Sequence, residues 1–109
     1  MVGFAQVRGG EQHAFLYAAG KILDLGTLEG GTQSFAYAVN NTGQVVGASD
    51  VGSGMRAILY SDGRLIDLNT LLPRNSGWLL TEARDINDHG QIAGSGILNG
   101  HQRAFLLTP

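Results

Sequence analysis

The stretch that decides the fold is SFAYAVNNTGQVVGASD, residues 34–50, which recurs as LTEARDINDHGQIAGSG, residues 80–96. Each copy reads as a strand, a tight turn closed by glycine, and a second strand. A period of two places Phe35, Tyr37 and Val39 on one face of the first strand. Ser34, Ala36, Ala38 and Asn40 fall on the other. In Asn40-Asn41-Thr42-Gly43 and Asn87-Asp88-His89-Gly90 an Asn side chain can cap the turn while Gly takes the positive φ that closes it. Gly47 and Gly94, inside the second strands, predict close approach of a neighbouring backbone.

Working outward, the rest of the chain is the same unit repeated. HAFLYAAGKILDLGTL (13–28) aligns without a gap with RAILYSDGRLIDLNTL (56–71), a shift of 43 residues, and RAFLLTP (103–109) opens a third copy 47 residues further on. The four extra residues fall in LLPRNSGWLLTEA (71–83), and VGFAQVRGGEQ (2–12) matches VGASDVGSGM (46–55) with one residue to spare. The complete unit offers strands A (34–40), B (44–49), C (56–60) and D (64–68). Each is rich in Val, Ile, Leu, Phe and Tyr and bounded by Gly, Asn, Asp or Ser. Gly20 and Gly63 are the turn residues between C and D. No window carries a helical period, so no helix is predicted. In strand letters the chain runs B-C-D, A-B-C-D, A-B-C: a single repeat domain, 1–109, made of a partial repeat (1–33), a full one (34–79) and a second partial one (80–109). The expected fold is all-β, with antiparallel four-stranded repeats of about 43 residues forming β-propeller-like blades; a β-sandwich is the alternative.

The elements HAFLY, DLGTLEGG, AVNNTGQVVG, DINDHGQIAGSG and RAFLLTP together resemble the bacterial HAF repeat, a family of probable extracellular repeat proteins. The spacings AF-x-x-x-G-x-x-x-DLG-xL-GG and A-x-x-IN-x-x-GQ-x-x-G occur together and cover essentially the whole chain, and the ending looks like the C-terminal part of such an array. Ile58 replaces the motif's Phe and Asn69 its Gly. The resemblance implies secretion or surface display and no particular activity. MVGFAQVRGG, at the start of this chain, has no signal-peptide pattern.

Composition narrows the partners. With 43% hydrophobic and 15% charged residues the chain is globular rather than disordered. Its net charge of −2 and scattered basic residues argue against nucleic acid. No apolar run approaches a membrane span, and without cysteine there are no disulfides or thiol chemistry. Units cut from an array leave apolar faces uncovered, which predicts a homo-oligomer that completes its sheets.

Candidate chemistry is sparse. Asp24 and Asp67 occupy the same repeat position, which predicts turn caps rather than the unlike pair that acid–base work needs. Asp85, Asn87, Asp88 and His89 lack the oxygen count and spacing of a calcium loop, so no metal is expected; nor is any cofactor. His13 aligns with Arg56 and Arg103, which predicts an exposed polar position at the start of strand C, and His101 stands elsewhere. No Ser sits in a G-x-S-x-G elbow, and a catalytic triad cannot be assembled. The chain is therefore read as non-enzymatic, a structural or binding module. Trp78, the single tryptophan, either covers the end of the core or, with Arg74 and Asn75, forms a surface site for a glycan or protein ligand. Covering the core is the favoured reading; a carbohydrate-binding, lectin-like module is the alternative function.

Overall fold

The computed structural model describes residues 2–6, 12–18, 20–73 and 75–108, without the side chains of 2–6 and 18. Among these described residues ten strands run in sequence order: β1 (Val2–Gln6), β2 (Gln12–Ala18), β3 (Lys21–Gly26), β4 (Ser34–Val39), β5 (Val45–Asp50), β6 (Met55–Ser61), β7 (Arg64–Asp67), β8 (Trp78–Ile86), β9 (Ile92–Leu98) and β10 (His101–Leu107). They form three antiparallel sheets, β1-β2-β3, β4-β5-β6-β7 and β8-β9-β10, and none closes on itself. The chain is all-β, as its alternating pattern predicts. Strand D ends at Asp67, one residue short of expectation. Leu68–Leu71 instead forms a single 3-10 turn, a helical element that the sequence pattern does not announce.

Turn chemistry explains the hairpins. Gly43 and Gly90 have φ of 84° and 80°, the left-handed region in which a Cβ is strained. In each turn an Asn organises the loop: the Asn40 Oδ1 accepts from the N–H groups of Thr42 and Gln44, and the Asn87 Oδ1 from those of His89 and Gln91.

One expectation is corrected. Ala36 and Ala38 do not share a face, because a β-bulge lies between them. Ala36 pairs with Gly47 and Ala38 with Val46, leaving Tyr37 as the extra residue. The alternation flips there, so Ala36 and Val39 join one core cluster and Ala38 the other. The same bulge recurs 47 residues later, with Ala83 opposite Gly94, Asp85 opposite Ala93, and Arg84 as the extra residue. Gly47 and Gly94 belong to this device. A Cβ on Gly47 would collide with the Phe35 carbonyl, and one on Gly94 with the Glu82 carbonyl. The closely approaching backbone is thus the partner strand of the same sheet.

The sheets stack in series. Strand β4 packs on β1 and β2 of the first sheet, and β8 packs on β4, β5 and β6 of the second. We term the face turned to the preceding sheet the front and the opposite face the back. Ala14, Leu16 and Leu25 on the back of the first sheet meet Ala36, Val39, Val45 and Tyr60 on the front of the second. Val46, Ala57, Leu59 and Leu68 on the back of the second meet Leu80, Ala83, Ile86, Ile92, Phe105 and Leu107 on the front of the third. These are the same repeat positions twice over: Ala14 corresponds to Ala57, Leu25 to Leu68, Ala36 to Ala83, Val39 to Ile86 and Tyr60 to Leu107. Each boundary sets an alanine from either face, Ala14 with Ala36 and Ala57 with Ala83, among larger apolar side chains, which lets adjacent sheets come close. Among the described residues, no helix is long and apolar enough to cross a membrane.

Candidate interaction site at the second and third sheets

Equivalent residues meet where these two sheets adjoin. The Asn40 side chain donates to the Asn87 carbonyl at 3.1 Å. Beside it, the Asn41 backbone N–H and side-chain amide both donate to the Asp88 carboxylate, at 2.8 and 2.7 Å. Further along the same strands, the Arg84 guanidinium lies 4.4 Å from the centroid of the Tyr37 ring, within cation–π range. Glu82 hydrogen-bonds Arg84, which raises the guanidinium pKa, and it accepts from the Ser95 hydroxyl at 2.9 Å.

Asn69, which stands where the first copy has Gly26, has a structural role. Its amide donates to the Leu80 carbonyl at 2.9 Å, and its carbonyl oxygen accepts from the Leu80 N–H at 2.7 Å. One side chain thus satisfies both backbone groups of a buried residue across the sheet boundary. At the first boundary the hydroxyl of the buried Ser34 bridges instead. It accepts from the Ala14 N–H at 2.8 Å and donates to the Gly26 carbonyl at 2.6 Å.

Two apolar hollows flank the second boundary. One, of about 200 Å³, is lined by Leu72, Trp78, Leu80 and residues 104–107. The other, of about 320 Å³, lies between Leu59, Leu68, Leu71, Leu72, Ile92 and Leu107. A polar recess of about 390 Å³ opens beside them, formed by Thr42, Gln44, Ser61, Asp62, Asp88, His89 and Gly90. Among the described residues, no group of three or more His, Cys, Asp or Glu is arranged to hold a metal ion.

The sequence-predicted site residues are dispersed. Trp78 opens β8 rather than standing on a loop; it is half-buried, and its ring meets Phe105 edge-on with centroids 6.3 Å apart. It folds back onto the core. Asn75 is exposed in the preceding turn, and Arg74 lies outside the described residues. Asp24 and Asp67 cap equivalent turns, accepting from the N–H groups of Gly26 and Asn69 at 2.8 and 2.9 Å. Asp24 also pairs with His13 at 3.0 Å, so that His13 is half-buried rather than the exposed position its alignment predicts. Burial works to raise the Asp24 carboxyl, but the Gly26 N–H and His13 together hold it below its ordinary value. His101 is exposed at the start of β10. Sequence reading passes over Asp50, whose carboxylate accepts from the N–H groups of Thr32, Gln33 and Gly52 and from the Thr32 hydroxyl. Burial again opposes ionisation there, and these donors outweigh it, so that carboxyl too is held below its ordinary value. The only signal available for it was its place one residue beyond strand B.

The carboxylates of Asp24, Asp50 and Asp67 accept hydrogen bonds in turns, and that of Asp88 accepts them across the second sheet boundary. Comparison of the chain with protein-family models, curated proteins and solved structures returned no match.

Proposed function

We propose that this chain is a non-enzymatic structural and binding module of β-propeller-like blades of the HAF type, working outside the cell and associating with itself through its sheets. The observation that supports this reading is the recurrence of one interface. The third sheet packs on the second with the same repeat positions, the same bulge and the same sense as the second packs on the first. A two-sheet sandwich buries its apolar faces once, whereas units stacked in series keep offering a face for the next. The molar mass in solution tests the reading. Light scattering at tens of micromolar giving a multiple of the chain mass supports it, and a strict monomer at that concentration counts against self-association.

A glycan-binding role through Arg74, Asn75 and Trp78 has less support, because the Trp78 ring is turned onto Phe105. Saturable binding on a glycan array, lost in Trp78→Ala, would favour it. A panel of ester, glycoside and phosphate substrates tests the non-enzymatic part of the reading; turnover of any of them would overturn that part.

A further inference from the structure

Of the asparagines in the chain, Asn99 alone is followed directly by glycine. Asn99 and Gly100 make up the whole loop between β9 and β10, since Leu98 pairs with His101 across it. Their φ angles are 50° and 85°, the type I′ geometry that suits a two-residue hairpin. Both residues are exposed. That exposure does not depend on what packs behind the third sheet. In the second sheet, which the third covers, the corresponding loop still shows Gly52, Ser53 and Gly54 to solvent.

The turn leaves the Asn99 side chain open to attack by the next backbone nitrogen. Asn40, Asn41, Asn69 and Asn87 each donate from the side-chain nitrogen to an oxygen that holds it in place. They are followed by Asn41, Thr42, Thr70 and Asp88, whose side chains crowd the backbone nitrogen. Asn75 is exposed as well, but Ser76 follows it. At Gly100 there is no side chain, and nothing lies within 4 Å of where a Cβ would be. The hairpin ladder runs through Leu98 and His101, so the Gly100 N–H stands outside it.

We propose that Asn99 is a site of spontaneous deamidation through a cyclic imide. The Gly100 backbone nitrogen attacks the Asn99 Cγ and forms a C–N bond. Its proton passes to the departing amide, the Cγ–Nδ2 bond breaks, and ammonia leaves. Water then opens the imide at one carbonyl or the other, and no electrons are gained or lost. One opening gives aspartate; the other gives isoaspartate, in which the main chain runs through the side-chain carbon.

The two products differ in what they do to the fold. Asp62-Gly63 is the same kind of turn with aspartate already in place: it joins β6 to β7, with Ser61 paired to Arg64 and φ of 53° and 79°. Aspartate at position 99 therefore fits. Isoaspartate lengthens the main chain of a two-residue turn whose geometry sets the strand twist. Asn99 also anchors this turn, its N–H donating to the Gly77 carbonyl at 3.0 Å. The isoaspartyl product thus loosens the β9–β10 hairpin at that end.

The test holds the full-length folded chain at mildly alkaline pH beside a sample unfolded in guanidinium chloride. Peptide mapping by mass spectrometry locates each lost amide, methylation by an isoaspartyl methyltransferase counts the isoaspartyl product, and released ammonia is followed. The expected result in the folded chain is loss of the Asn99 amide while the other asparagines keep theirs. Isoaspartate appears at position 99, and the melting temperature falls as it accumulates. Asn99→Asp abolishes the early ammonia release and keeps the circular dichroism and melting temperature of the unaltered chain. An Asn99 amide kept in the folded chain for as long as the unfolded chain takes to lose it overturns the proposal, as does earlier loss at any other asparagine. A lowered melting temperature in Asn99→Asp overturns the assignment of the damage to isoaspartate.

Discussion

Asn41 and Asp88 occupy the same place in successive repeats and hold each other: both the backbone N–H and the side-chain amide of Asn41 donate to the one carboxylate. The repeat therefore bonds to its own next copy at the turn, not only through apolar packing. Two hydrogen bonds to a charged acceptor on an exposed turn are worth about 0.5–1.5 kcal/mol together. Asp88→Ala and Asn41→Ala should each destabilise by about that amount, and the double variant by little more than either. Chemical denaturation of the full cycle measures this, and additive losses would show that the two residues are not coupled.

Asn69 makes a sharper prediction. Its side chain satisfies both the N–H and the carbonyl of Leu80, a residue only 1% exposed. Asn69→Ala leaves two backbone groups without this partner and should cost about 1–3 kcal/mol. Asn69→Gly, the residue of the first copy at this position (Gly26), should do no better, because the repeat position of the bridging Ser34 holds Thr81, whose hydroxyl donates to the Ser95 carbonyl instead. Thermal unfolding of both variants decides it; a melting temperature kept by Asn69→Gly would show that glycine suffices here.

Gly47 and Gly94 lie against the Phe35 and Glu82 carbonyls, next to the two bulges. Gly47→Ala must displace main chain rather than a flexible side chain, and the expected loss is about 1–3 kcal/mol. Gly63 has open space around its Cβ position but a φ of 79°, so Gly63→Ala should cost less, about 1 kcal/mol. Equal losses at 47 and 63 would contradict the steric reading.

Acid stability follows from Asp50 and Asp24. Both carboxyls are held below the ordinary value of 3.8 in the folded chain. A group whose pKa is depressed by folding contributes stability above its unfolded value. That stability is lost as pH falls through the folded value. Melting temperature should thus be insensitive to these groups from neutral pH down to about pH 5 and should fall below about pH 4. Asp50→Asn should lower the melting temperature at pH 7 and flatten part of the decline in acid. An unchanged acid limb in the variant would remove Asp50 from the account.

The spacing of repeats and the glycine-closed turns were legible in the chain because each is a local property. The backbone dihedrals at Gly43 and Gly90, the small residue at Ala36, and the division into three, four and three strands needed no knowledge of distant partners. What only the tertiary structure decided is where faces point once local alternation is broken. Tyr37 and Arg84 look like ordinary strand residues, yet each is the extra residue of a bulge, and a slip of one position moves Val39 and Ile86 to the opposite face. That Trp78 covers the core is what its sequence context favours, but its place at the start of β8, edge-on to Phe105, is set by the third sheet. The residues joined across sheet boundaries, Asn41 with Asp88 and Asn69 with Leu80, lie 47 and 11 positions apart. Their pairing depends on how one sheet rests on the next, which no local window of sequence contains.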